Sequence, residues 1–258
     1  IAAAAAGGGA LNVIPDADGV VRRLPLLALL GDQLYPSFAA ELLRVAETAQ
    51  TYVLRSGATP GALAGSGNVQ LRIGRVNVPV EADGEMALYF AGSHPERYLS
   101  ARSVLDGTLN RSEVERKIIL IGVTALGVKD ERATPLNLVA PGVEVHAEAI
   151  EQMLTGAFLT RPDWSAAAEL FYIMLLGCIM LFALPVIGPI PAALIGGGAA
   201  FLAAAASWIA FDQARLLLDP VTPSLIVFGV YLFATMLGFI RTEAERSRVR
   251  SAFGRYLA

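Results

Sequence analysis

Lys129, Asp130, Glu131 and Arg132, followed by Glu144 and His146, form the stretch of this sequence where acid, base and cation crowd together. Carboxylates, a guanidinium and an imidazole at that density can hold a polar or anionic ligand, and an imidazole beside a carboxylate can also move a proton. Glu144 and His146 stand two apart, so on a helix they diverge, and the His-x-x-x-His spacing of a zinc site is absent. Three roles stay open for His146: a hydrogen-bonded structural residue, a ligand contact or a general base. The last needs a nucleophile, and no G-x-S-x-G, Walker loop or paired-carboxylate pattern supplies one. Asp130, Arg132, Glu144 and His146 are therefore the ligand-binding candidates. No catalytic residue, metal ligand set or cofactor is expected in the chain.

Two weaker patterns remain. Asp16, Asp18 and Gly19 fit either a turn or a cation loop, but a twelve-residue calcium loop needs a third ligand, a glycine at its sixth position and a closing glutamate, none of which follows. The other histidine, His94, sits in a Gly-Ser-His-Pro turn. A single cysteine, Cys178, allows neither a disulfide nor a thiolate metal site within one chain.

The elements that must position these groups read as follows. The segment 11–32 holds two apolar runs around Pro-Asp-Ala-Asp-Gly, a pattern that predicts a β-hairpin, with Arg22 and Arg23 as solvated strand residues. YPSFAAELLRVAE predicts an amphipathic helix capped by Ser37, with Phe38, Leu42, Leu43 and Val45 inward and Glu41, Arg44 and Glu47 outward. NVQLRIG, RVNVPV and EMALYF alternate as strands, and ERYLSARSVLDG predicts a short helix ending at Gly107. KIILIGV, residues 117–123, is continuously apolar and predicts a strand buried on both faces. After it comes the loop carrying the charged cluster, then a helix from near Pro141 to Gly156 with Val145, Ala149, Met153 and Leu154 inward. Strand, loop and helix in that order predict an α/β domain with its ligand beyond the strand's carboxyl end. The opening IAAAAAGGGA carries no pattern, and residues 1–10 are left without assignment.

Charge divides the chain. Residues 1–163 hold 14 Lys and Arg against 18 acids, residues 164–240 one Arg and three acids, and residues 241–258 five Arg and two Glu. No basic stripe with interleaved aromatics occurs, so nucleic acid is not expected as a partner. Residues 165–184, 186–211 and 221–240 are each apolar and long enough to cross a bilayer as a helix. Pro185, Pro189 and Pro191 mark the first connection, and Asp219, Pro220 and Pro223 the second. The arginine excess after Ile240 predicts a cytoplasmic tail. Three spans then leave residues 1–164 extracytoplasmic, and a preceding N-terminal anchor is expected. Gly196, Ala200 and Ala204 at four-residue spacing permit close helix approach, within the bundle or in a dimer. Glu169 requires a partner or headgroup depth. Three spans without a run of internal charges fit an anchor.

Taken together, NVIPDADGVVRRLPLL, YPSFAAELLR, KIILIGVTALGVKDERATPL and PGVEVHAEAIEQMLTGAFLTRPDW resemble the second type of CHASE domain, an extracytoplasmic sensor module of bacterial signalling proteins. The resemblance covers most of residues 11–164 and implies one span before the sensor and three after it. AFGRYLA at the end of the chain resembles the AFGRYLSP that leads into class III nucleotide cyclase domains, with Ala258 in place of serine. It implies an adenylate cyclase beyond residue 258, a homodimer, and ATP with Mg2+ or Mn2+ in that output domain. The sensed signal is unknown. The same sensor also precedes histidine kinase, serine/threonine kinase and diguanylate cyclase outputs. Val249, Phe253 and Tyr256 fall on one face of a tail helix, residues 241–258, and are the candidates for a signal-relay linker that pairs with its twin. A tethered hydrolase using His146 is the reading from a different class, and a scaffold without enzymatic output is another.

Overall fold

The computed structural model describes residues 4–57, 68–92, 94–123 and 130–256, and for residues 56, 57, 68, 245 and 247–256 it gives the backbone only. The chain forms two compact units, Ile1–Thr160 and Arg161–Ala258.

The first unit is mixed α/β. Its strands are short: β1 (Arg23–Pro25), β2 (Leu27–Leu30), β3 (Gln33–Pro36), and, after α1 (Phe38–Ala46), β4 (Tyr52–Gly57), β5 (Asn68–Ile73), β6 (Val76–Val80) and β7 (Glu85–Ala87). Two short helices follow, α2 (Ala101–Leu105) and α3 (Arg111–Val114), then β8 (Glu131–Arg132), β9 (Ala140–Pro141) and α4 (Gly142–Thr155). Every named ladder is antiparallel: β4-β5-β6 form a three-stranded sheet, and β1-β7, β2-β3 and β8-β9 form pairs. β5 sits between two neighbours and alternates as a half-buried strand should, Leu71 and Ile73 fully inward and Gln70 and Arg72 outward. Pro79 is tolerated in β6 because that strand is an edge. Gly74, at φ +58°, makes the β5-β6 turn, a conformation other side chains resist.

α1 and α4 supply the helical side of the core. Ser37 caps α1 by accepting a hydrogen bond from the Ala40 amide at 3.2 Å. Gly156 ends α4 in the left-handed conformation. Leu43 of α1 and Val145, Ala149, Ile150 and Met153 of α4 close on Leu24, Leu71, Ile73, Val78 and Met86 of the strands.

Several expectations are corrected. The turn at Pro-Asp-Ala-Asp-Gly exists, but residues 11–15 form no strand before it. The hairpin lies further on, between β2 and β3, with Leu29 opposite Leu34. The buried side of α1 is rotated from the apolar stripe: Glu41 is buried and Val45 exposed, because Glu41 finds charged and hydroxyl partners inside. Leu154 of α4 is half exposed, its inward place taken by polar Gln152. β4, which escaped the sequence reading, is an edge strand with Val53 and Leu54 exposed, so no alternation marks it.

The largest departure concerns residues 117–123. They form no strand and are mostly exposed, Ile121 at 97 %. A ladder requires a neighbour, and none of the named strands pairs with this segment. Leu120 alone packs on the core, and Gly122 crosses α4 so tightly that a Cβ would meet Val143 at 2.6 Å. The expected strand-loop-helix frame for a ligand is therefore not what positions the charged cluster.

The opening residues also have a place. Ala10 bridges to Ser37, its amide donating to Pro36 O at 2.9 Å and its carbonyl accepting from Phe38 N at 2.8 Å. Gly9 lies so close to Phe38 that a Cβ would come within 2.7 Å of that backbone.

The second unit consists of α5 (Ser165–Ile187), α6 (Pro189–Ala214) and α7 (Val221–Tyr256). Ser165–Ile187, Pro189–Ala214 and Val221–Ala244 are long and apolar enough to cross a membrane. Leu176, Met180 and Leu184 of α5 pack on Ala192 of α6 and Val227 of α7. α5 runs through Pro185 and stops at Gly188, whose φ is +83°. Gly196 faces Met180 of α5, whereas Ala204 is exposed. α7 continues without interruption past its apolar part into the arginine-rich tail.

Candidate functional site

The turn at residues 16–20 is closed by the Asp16 carbonyl, which accepts from Gly19 N at 2.8 Å, and by the Asp16 amide, which donates to Val20 O at 3.0 Å. Arg22 reaches back over it, donating to Asp16 at 2.9 Å and to both oxygens of Asp18 at 3.0 and 2.8 Å. The guanidinium stands where a cation would sit, and it holds the Asp18 carboxyl down at about 2. This is turn chemistry, and among the described residues no group of His, Cys, Asp and Glu could hold a metal ion.

The charged cluster divides three ways. Lys129 lies outside the described residues. Asp130 precedes β8 and Arg132 lies in it, opposite Ala140 of β9: the Asp130 carbonyl accepts from Gly142 N at 2.8 Å, and Arg132 Nη2 lies 3.5 Å from the Asp130 carboxylate. Gly142 makes room for that carboxylate, since a Cβ there would fall 2.4 Å from Asp130 Oδ1. Arg132 Nε is buried without a partner. Glu144, in the first turn of α4, instead meets the Tyr98 hydroxyl, whose pKa rises to about 12 through burial first and this carboxylate second.

His146 points elsewhere again. It is buried, edge-on to Phe38 with ring centroids 5.6 Å apart, and its Nδ1 has no partner. Burial depresses its pKa, with the Leu11 backbone and the Asp130 charge opposing, so the ring is neutral at physiological pH. An enclosed imidazole of this kind offers no base to a substrate in solvent. The four candidates therefore do not converge on one cavity.

A cleft does lie beside Glu144, lined by Phe90, Thr134, Leu136, Val145 and Glu148. Its enclosed volume is about 10 Å3, room for a single water and far below the roughly 300 Å3 at which metabolite pockets begin.

Sequence reasoning missed Glu148 and Gln152, both buried on α4. Gln152 Oε1 accepts from Tyr89 N at 3.0 Å while its Nε2 donates to Ala87 O at 2.8 Å, and Glu148 Oε2 accepts from Ala91 N at 3.2 Å. These side chains act as a second strand for residues 87–91, and the Arg97–Glu151 ion pair ties the following turn to the same helix. The only sequence signal was a polar pair four residues apart among the apolar positions of α4.

Burial raises the Glu148 pKa, with Glu144 and Glu151 adding to the rise and Arg97 and the Ala91 amide opposing it. A raised folded-state value means that the stability Glu148 contributes is complete below the ordinary carboxyl range and is lost as pH rises through the folded value. Glu148→Gln, which removes the desolvated charge and keeps the acceptor, is expected to stabilise α4 by about 1 kcal/mol at pH 7 and to change little at pH 4. Hydrogen exchange of the α4 amides in the membrane-reconstituted chain measures this.

A mixed α/β unit followed by membrane-crossing helices matches one known family over most of the chain: the CHASE2 domain model aligns with residues 1–184, through the first unit and into α5. The chain belongs to the CHASE2 family. Comparison with curated proteins and with solved structures finds no match. The CHASE2 domain here is thus a sensor module joined to three candidate spans, the sensing and membrane part of a multi-pass membrane protein.

Proposed function

We propose that this chain is the extracytoplasmic sensor, anchor and linker of a bacterial transmembrane receptor, most specifically of a class III adenylate cyclase that makes cyclic AMP from ATP beyond residue 258. The observation that carries the reading is α7. A single helix of 36 residues, about 54 Å long, runs from the second connection of the bundle through the third span and on into the AFGRY segment, with no break at which a signal would be lost. The CHASE2 match supports a sensor at one end of this rod. The five arginines after Ile240 support a cytoplasmic end at the other.

In this reading the signal acts by differential binding: it favours one arrangement of sensor and spans over another, and α7 passes the shift to paired output domains in a homodimer of the inner membrane. Val249, Phe253 and Tyr256 lie on the helical backbone of α7 and would form the pairing face. Asp130, Arg132, Glu144 and His146 remain the sensor's proposed ligand contacts, with Asp130, beside the start of α4, exposed and Arg132 half-buried. ATP and Mg2+ or Mn2+ would be held by the output domain.

The test is an assay of membranes carrying the chain with its natural C-terminal continuation. Conversion of ATP to cyclic AMP in Mg2+ or Mn2+ is the expected result. Phosphate transfer to protein, or cyclic di-GMP formed from GTP, would replace the cyclase with one of the other outputs.

A further inference from the structure

Arg161 is the first residue of the second unit, joined by one peptide bond to the sensor's last residue, Thr160. It does not extend freely toward solvent. Its Nη2 donates to both carboxylate oxygens of Glu169 on α5, at 3.0 and 2.9 Å, and its Nε donates to Ser165 Oγ at 3.2 Å. Glu169 then reaches a third element, accepting from the backbone amide of Asp219 at 3.4 Å. Asp219 in turn caps α7, its carboxylate accepting from Val221 N at 2.9 Å and Thr222 N at 3.2 Å.

The chain of contacts therefore runs from the sensor's exit, through one carboxylate, to the first turn of the helix that ends in the tail. Glu169 lies four residues into α5, about 6 Å from its start, and its side chain is 20 % exposed. Arg161 is itself half exposed, so its orientation rather than the screened charge is what matters: Nη2 on the Glu169 carboxylate and Nε on Ser165 Oγ hold the guanidinium at two separate nitrogens. A lysine would supply the charge without the orientation.

We infer that Arg161, Glu169 and Asp219 form a mechanical joint that sets the register of α7 against α5 and so couples the sensor's exit to the tail. The inference rests on the receptor reading for its purpose but not for its measurement. Arg161 and Glu169 are positioning residues, acting on the output only through the helices they hold.

The experiment uses the 258-residue chain in lipid nanodiscs, with Cys178 replaced by alanine and nitroxide labels at Val186 and Thr242. These two exposed positions lie at the opposite end of the spans from the joint. Pulsed electron resonance then reads the α5–α7 distance. Glu169→Gln and Arg161→Gln are expected to raise the ratio of the minor to the major distance about tenfold, and Arg161→Lys to raise it less. The exchanged pair, Arg161→Glu with Glu169→Arg, is expected to restore the original distribution. Single variants that leave the distribution unchanged, or an exchange that behaves like the single variants, would overturn the joint. Should Glu169→Gln not insert, Glu169→Asp, which shortens the reach by one methylene, carries the same expectation. No stimulus or output enters the measurement, so its failure leaves the receptor reading standing, and a reversed topology would sink that reading while leaving these distances intact.

Discussion

Met153→Ala is expected to cost the sensor unit about 2–5 kcal/mol, whereas Leu154→Ala, one residue along the same helix, should cost less than about 0.5 kcal/mol. Met153 is 1 % exposed among Leu24, Leu43 and the inward residues of β5 and β6, so its removal forfeits both transfer free energy and the contacts around the cavity left behind. Leu154 is 51 % exposed and has little to lose. The pair is a sharp test because the apolar pattern of α4 puts both inward. Urea midpoints of the first unit, followed by pulse proteolysis of the reconstituted chain, give the two values side by side. Leu43→Ala on α1, fully buried against the same core, should fall in the range of Met153→Ala.

The second large effect is expected at Glu41. Its carboxylate accepts from Arg44 Nε and Nη2, each at 2.8 Å, and from the Tyr52 hydroxyl at 2.5 Å, while Arg44 Nη1 donates to Ala49 O at 2.6 Å. Glu41→Ala leaves a guanidinium that is only 19 % exposed without its carboxylate and takes away the acceptor of the Tyr52 hydroxyl. A fully buried pair broken this way costs roughly 3–5 kcal/mol, and the remaining exposure brings the expectation to about 2–3 kcal/mol. Replacing both Glu41 and Arg44 by Met should cost less than Glu41→Ala alone, since no charge is then left unpaired. The pH dependence has the opposite sign to that of Glu148. Arg44 first, and Tyr52 after it, lower the Glu41 pKa against the opposing effect of burial. Its contribution is therefore present above the ordinary carboxyl value and is lost as pH falls through the lowered one. Acidification accordingly relieves strain at Glu148 while loosening α1 at Glu41.

Helices were the most legible part of this sequence, and for identifiable reasons. Ser37 and Gly156 are end signals that act locally, so the limits of α1 and α4 follow from a few residues each. Long uncharged runs admit few structures other than helices, so the segments that could cross a membrane also stood out. β5 and β6 were legible because one face of each is buried and alternation results. What failed was inference about partners. Residues 117–123 have the composition of a buried strand, yet a strand exists only if a neighbour accepts its hydrogen bonds, and composition says nothing about the neighbour. Glu41, Glu148 and Gln152 failed for the same reason in reverse. Each is polar and reads as solvated, and each is buried because a specific partner distant in sequence or across a turn satisfies it.

The candidate site was legible as a cluster but not as an arrangement. Spacing alone already separated Glu144 from His146. That Asp130 would settle against Gly142 while His146 turned to Phe38 depends on how α4 meets β8, β9 and α1, which no local pattern encodes.

The orientation of the chain in the membrane underlies every functional statement, and it can be read directly. In a Cys178→Ala background, single cysteines are placed at Asp83, in the exposed β6-β7 turn of the sensor, and at Thr242, beyond the last span. Intact cells are then treated with a membrane-impermeant maleimide. Labelling at position 83 before permeabilisation, with position 242 labelled only after it, is the predicted result. Labelling of position 242 in intact cells, with position 83 protected, would contradict an outward sensor joined to an inward tail.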